Sequence, residues 1–183
     1  MVVVIVLVVV VVLLVLFCIV AYNGLVRLKN RVDAAWAQIE VQLKRRADLI
    51  PNLLETVKGY AAHEKSTLDA VVQARNASVA ASSPAQQAAA ENQLTGALRQ
   101  LFALSEAYPD LKANQNFLAL QEELTSTEGR VAYARQAYND DVNKLNTKIE
   151  QFPSLIFAKM MSLTAREYFE AEPEARAVPK VQF

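Results

Sequence analysis

Most of the residue types on which protein chemistry is commonly built are scarce in this chain. Its 183 residues include one cysteine, Cys18, and one histidine, His63. A lone cysteine excludes an intramolecular disulfide, and it leaves everything past residue 22 without a thiol for nucleophilic or redox chemistry. A lone histidine, with no Glu-x-x-His or His-x-x-x-His spacing, gives no helical metal site. The four glycines, Gly24, Gly59, Gly96 and Gly129, are too widely spaced to form a phosphate-cradling loop. Charge of one sign is missing too: 19 Lys and Arg balance 19 Asp and Glu, so nucleic acid is not an expected partner. Runs of alternating β-branched residues do not occur after residue 21, and alanine is abundant, which favours helix. No cofactor and no catalytic residue is expected.

What the chain does have is an apolar run. Residues 2–21 are uninterrupted apolar side chains. As a helix rising about 1.5 Å per residue they span roughly 30 Å, the hydrocarbon thickness of a bilayer. Valine is a poor helix former in water, but in lipid every backbone N–H must be paired internally, and the helix is enforced. Tyr22 stands where an interfacial aromatic belongs, with Arg27, Lys29 and Arg31 beyond it. A cleaved signal peptide needs a basic leader, a shorter apolar run and a small-x-small site. The run here ends Phe17-Cys18-Ile19-Val20-Ala21-Tyr22, so the segment is expected to stay attached as an anchor. Phe17 occupies the place where a lipoprotein signal has a small residue, and Cys18 therefore reads as an apolar thiol within the span. The basic residues all follow the span, which predicts the N-terminus outside and the domain in the cytoplasm.

Beyond the anchor (residues 1–22), residues 23–153 read as a helical domain. Val32, Trp36, Ile39, Leu43, Ile50, Leu53, Val57 and Tyr60 form one stripe at helical spacing. Pro51 predicts a kink near 47–50, and the stretch from Gly59 through His63-Glu64-Lys65 predicts a break. Ser66-x-x-Asp69 resembles a capping box opening a helix over 68–79. Ser82-Ser83-Pro84 marks a turn into a helix over 85–107. Asn114 or Asn116 then caps the longest pattern, in which Phe117, Leu124, Val131, Tyr138, Leu145 and Phe152 recur every seven residues. The expected fold is all-α, a transmembrane helix followed by an antiparallel up-and-down bundle of three to four long helices. Residues 154–183 read as a short apolar helix and an extended tail. The apolar cluster at 155–163 closes the bundle end, lies on the bilayer, or meets another subunit, with the first favoured.

Polar residues on apolar stripes are the most informative remaining signal. Arg46 falls between Leu43 and Ile50, and Asn139, Asn143 and Asn146 crowd one end of the long helix near Arg130 and Arg135. Such residues are usually solvated, but within a seam they set register and oligomer state. Trp36 reads as core or as an interface anchor. Trp36, Arg46, Arg135, Asn139 and Asn143 are therefore the candidate interaction surface. Glu122, Glu123 and Glu128 read as a solvated face, and His63 as a surface residue.

The strings RVDAAWAQIEVQLKRRADLIPNLLETVKGYAAHE at 31–64, LFALSEAYPDLKANQNFLALQEELTSTE at 101–128, RVAYARQAYNDDVNKLNTKIEQFPS at 130–154 and KVQF at 180–183 resemble the LemA family of bacterial membrane proteins. The resemblance implies a single N-terminal anchor in the bacterial inner membrane and a helical bundle. It brings no established catalytic residue. Similar proteins are often encoded beside a membrane zinc metalloprotease, which suggests an adaptor or regulator of another membrane protein as the alternative. The first expectation is a non-enzymatic scaffold that self-associates, with the lipid bilayer and further copies of the chain as its partners.

Overall fold

A computed structural model describes residues 1–169. Every regular element among them is helical: α1 (Val2–Lys58), α2 (Lys65–Ala80), α3 (Pro84–Ser105), α4 (Pro109–Lys112), α5 (Gln115–Glu150) and α6 (Ser154–Met160). The all-α expectation holds. The described residues divide into two compact units, one of Met1–Ala37 with Ala137–Glu167, the other of Gln38–Gln136 with Tyr168 and Phe169. The helices α1 and α5 each contribute to both.

The second unit is a four-helix bundle. Its α1, α2, α3 and α5 segments bury Ile50, Leu53, Val57, Leu68, Val71, Leu94, Leu98, Leu101, Phe117 and Leu124 in one core, with Leu111 of α4 among them. The pairs Ala47–Arg75, Ser78–Glu91 and Phe102–Phe117 each join two successive helices at comparable distances from the connection between them, giving the up-and-down order expected. Local chemistry sets the boundaries. The Ser83 hydroxyl accepts from the Gln86 N–H at 3.2 Å with Pro84 in the first turn, which starts α3. Asn114 Oδ1 accepts from the Phe117 N–H at 3.1 Å, so Asn114 is the cap of α5. Two boundaries differ from expectation. The helix α2 begins at Lys65 behind Glu64, which makes no side-chain cap bond, so Ser66 lies inside the helix and does not open a capping box. The helix α3 ends at Ser105, and Pro109 starts the short α4.

Pro51 sits within α1, which is not interrupted there. Having no N–H, it leaves the Ala47 carbonyl without its intrahelical donor. Arg75 of α2 supplies the replacement, its Nε donating to that oxygen at 3.3 Å. An interhelical bond thus stands in for the missing helical one.

The first unit pairs the start of α1 with the end of α5. Arg31 meets Asp141 at 3.1 Å, and the rings of Trp36 and Tyr138 lie 5.3 Å apart, so the two helices run antiparallel. Residues 161–167 return along this pair. Asn146 binds the backbone of Arg166 twice, donating from Nδ2 at 2.9 Å and accepting at Oδ1 at 2.8 Å. Tyr138 donates to the Glu167 carbonyl at 2.8 Å, and Arg166 reaches Asp33 at 3.0 Å. Of the heptad set, Phe117, Leu124, Val131, Tyr138 and Leu145 are buried, but Phe152 is 79% exposed because α5 has already ended at Glu150. The 155–163 cluster is divided: Leu155, Phe157, Met161 and Leu163 are partly buried. In α6 only Ser154 and Ala158 are buried, while Ile156 and Met160 face outward. The tail expected beyond residue 169, with its KVQF ending, lies outside the described residues.

Replacing Arg75 by Met will cost roughly 1–3 kcal/mol, the worth of a charged hydrogen bond to a carbonyl with no other donor. In a Pro51→Ala background the cost will shrink, because the new N–H takes the Ala47 oxygen; denaturant unfolding of the four proteins in detergent measures the cycle. Burial holds the Tyr138 phenol above the ordinary 10.0, with Arg166 opposing and Glu167 and Asp33 reinforcing the shift. The folded state thus keeps a proton that the unfolded state releases, so the contribution to stability is intact below pH 10.0 and lost as pH rises through the folded value. Unfolding followed by the single Trp36 will show this alkaline loss, and Tyr138→Phe will remove it.

Candidate functional site

The residue that interrupts the apolar stripe of α1 organises the only extensive buried polar cluster among the described residues. Arg46 is 3% exposed. Its Nη1 donates to Glu91 Oε2 of α3 at 2.9 Å, and its Nη2 donates to Thr95 Oγ1 at 3.0 Å. Glu128 of α5 lies 3.9 Å from the same Nη2. On the other side of Glu91, the Ser78 hydroxyl of α2 donates to Oε1. Gln87 Nε2 donates to the Ser78 carbonyl at 3.1 Å. Side chains from all four long helices of the bundle therefore meet at one pair of opposite charges.

Such a cluster is held by geometry. Taking a guanidinium and a carboxylate out of water costs several kcal/mol per ion, recovered only if both are paired and their remaining hydrogen-bonding groups are satisfied. Glu91 accepts from three groups, and Arg46 leaves only Nε without an acceptor. The fork shape of arginine allows the bond to Glu91 and the bond to Thr95 at once, which lysine could not match.

Beside the cluster is a cleft of about 170 Å³ lined by Arg46, Glu91, Arg99, Glu128, Arg135 and Phe169. Arg99 and Arg135 make no ion pair among the described residues. Among the described residues the cleft carries three guanidiniums against two carboxylates. It brings together Arg46 and Arg135 of the predicted interaction surface. Trp36, Asn139 and Asn143 belong to the other unit, where Trp36 packs on Tyr138. Glu128, read from sequence as solvated, is half exposed but within reach of Arg46, and Glu123 pairs with Arg45. Ser78, Gln87 and Glu91 were not anticipated. Their only sequence signal is polarity in otherwise alanine-rich helices.

The juxtamembrane residues have a different chemistry. Residues 2–20 of α1 are exposed on every side, and Tyr22 follows them exposed. This is a helix long and apolar enough to cross a membrane. Arg27 bonds back to the Asn23 carbonyl at 3.4 Å, and Lys29 pairs with Asp33 at 3.0 Å. Arg31, paired with Asp141, is engaged within the fold. Among the described residues no group of three or more His, Cys, Asp and Glu is arranged to hold a metal ion.

Comparison with known proteins points in one direction. The sequence model described as the LemA family matches residues 35–183. Protein LemA of Metamycoplasma hominis is 29% identical over 153 residues, 81% of this chain and 68% of that protein. Magnetosome protein MamQ 2 of Paramagnetospirillum magneticum and magnetosome protein MamQ of Magnetospirillum gryphiswaldense are each 24% identical over 178 residues, 83% of this chain. The match spans 65% of the length of each MamQ protein. None of these names is that of an enzyme.

Arg46→Met will destabilise the protein by roughly 3–5 kcal/mol, because Glu91 is left charged and unpaired in the interior. Adding Glu91→Leu will recover most of that loss. Thermal unfolding of the three proteins in detergent checks both statements, and an Arg46→Met protein as stable as the parent would refute the burial argument.

Proposed function

The chain belongs to the LemA family, and from that premise we propose that it is a non-enzymatic, membrane-anchored helical scaffold whose copies associate in the plane of the bacterial inner membrane. The observation that carries this reading is the run of exposed apolar residues at 2–20, continuous in α1 with the part that packs into the domain. Confinement to a bilayer raises effective concentration, so a contact too weak to hold in solution suffices between anchored copies. The heptad residues of α5 are consumed within the fold, so association must use other surfaces, the lipid-facing span foremost. The charge asymmetry of the flanks supports a cytoplasmic domain.

A second reading, an adaptor for another membrane protein, is favoured by the cleft between Arg46, Arg99 and Arg135. Its surplus of guanidinium suits an acidic side chain from a different protein. The two readings separate experimentally. Crosslinking in native membranes, followed by mass measurement of the extracted complexes, will give integral multiples of this chain if it is a self-associating scaffold. Products containing another protein, lost in Arg99→Ala/Arg135→Ala, would favour the adaptor. A monomer at every concentration in both membranes and detergent would sink the scaffold reading.

A further inference from the structure

The helix α6 half-buries Leu155 and Phe157 but leaves its other two large apolar side chains facing outward. Its buried positions, Ser154 and Ala158, are small and lie four residues apart on one face. The large apolar side chains Ile156 and Met160 lie four apart on another face and are 51% and 77% exposed. Phe152, just before the helix, is 79% exposed. A short helix in water ordinarily turns its large apolar groups inward.

The position of α6 supplies the missing partner. Within the same unit, the ring of Phe157 lies 6.5 Å from the ring of Phe17, a residue of the apolar run. Phe17 precedes Tyr22 by five positions, which at 1.5 Å per residue is about 7.5 Å inside the interfacial tyrosine. Interfacial amphipathic helices bury their apolar face about 5–10 Å into the boundary between headgroups and acyl chains. The depth at which α6 touches the span is therefore the depth at which such a helix rests. Lys159, exposed between Ile156 and Met160, has a stem long enough to carry its ammonium back to the headgroups.

We propose that Phe152 and the Ile156–Met160 face of α6 form a second membrane contact, seated in the headgroup–acyl boundary of the leaflet on the domain side and packed against the span through Phe157 and Phe17. The proposal rests on residues 2–21 being an inserted anchor. It makes the attachment two-point, one segment crossing the bilayer and one lying in its surface.

The test uses the full-length chain in a Cys18→Ser background, reconstituted in phosphatidylcholine–phosphatidylglycerol vesicles. A polarity-sensitive fluorophore is placed in turn at Ile156→Cys, Met160→Cys, Val10→Cys within the span, and Tyr133→Cys on the exposed side of α5. All four positions are exposed, so the fold tolerates the label, and circular dichroism verifies the helicity of each variant. Labels at 156 and 160 should behave like the one at 10, quenched several-fold more strongly by nitroxide-bearing lipid than the label at 133 and shielded from iodide. Iodide quenching at 156 and 160 equal to that at 133, with 10 still in lipid, overturns the proposal and leaves the anchor standing. Shielding from iodide without quenching by lipid nitroxide, relieved by diluting the protein in lipid, means a second copy covers the face and also overturns it. Iodide access at 10 overturns the anchor reading and this proposal together.

Discussion

The charge pair of Arg46 and Glu91 constrains the bundle more tightly than any apolar contact. Apolar side chains tolerate sliding, since one buried Leu–Leu contact is worth much the same as its neighbour. A buried guanidinium does not, because a shift of one helical turn strands it without its carboxylate. Here the pair also draws in Ser78, Gln87, Thr95 and Glu128, so the register of α1, α2, α3 and α5 is set at a single point. The alanine-rich faces of α2 and α3 suit this role, being small enough for polar groups to reach across. The polar cluster is largely closed upon itself, with Glu91 accepting from three neighbours.

The bond from Arg75 to the Ala47 carbonyl makes the same point from the backbone side. Pro51 would ordinarily weaken a helix by about 3 kcal/mol. One residue of a neighbouring helix takes over the orphaned acceptor, and α1 continues to Lys58. The proline thereby creates a requirement for α2 at that position, converting a local defect into a docking preference.

Sequence patterning was enough for the candidate membrane span, the helix count and most of the core, because a long apolar run and helix packing both leave regular spacing in the chain. It was enough for Arg46 as well, since a charge on an apolar stripe is conspicuous. The partners of Arg46 were not legible: Glu91 is 45 positions away, and a polar residue in an alanine-rich helix reads the same whether it faces water or a buried cation. Phe152 was assigned to the seam by counting sevens, but counting cannot tell where a helix stops. For the cluster at 155–163, spacing left three settings open, the bundle end, the bilayer surface and another subunit, with the first favoured. Apolar clusters are assigned to a core by default, and the letters do not say which of their side chains the fold leaves outward, as it does Ile156 and Met160. Asn146 was conspicuous in sequence, yet its role of clasping the returning backbone at Arg166 needed the fold to bring residue 166 alongside.

The unbroken passage of α1 through Gly24 also gives the span a compass bearing. Phe17, Ala21, Leu25 and Val32 fall on one helical face; Leu25 and Val32 are fully covered by the fold, and Ala21 is partly covered. The azimuth of that face along the apolar run is thus dictated by packing further along α1. On the sector bearing Phe17, the ring of Phe157 from the protein's own α6 lies 6.5 Å away, while Phe17 itself stays half exposed. An anchor made from almost featureless valine acquires a front and a back without any residue of its own to mark them.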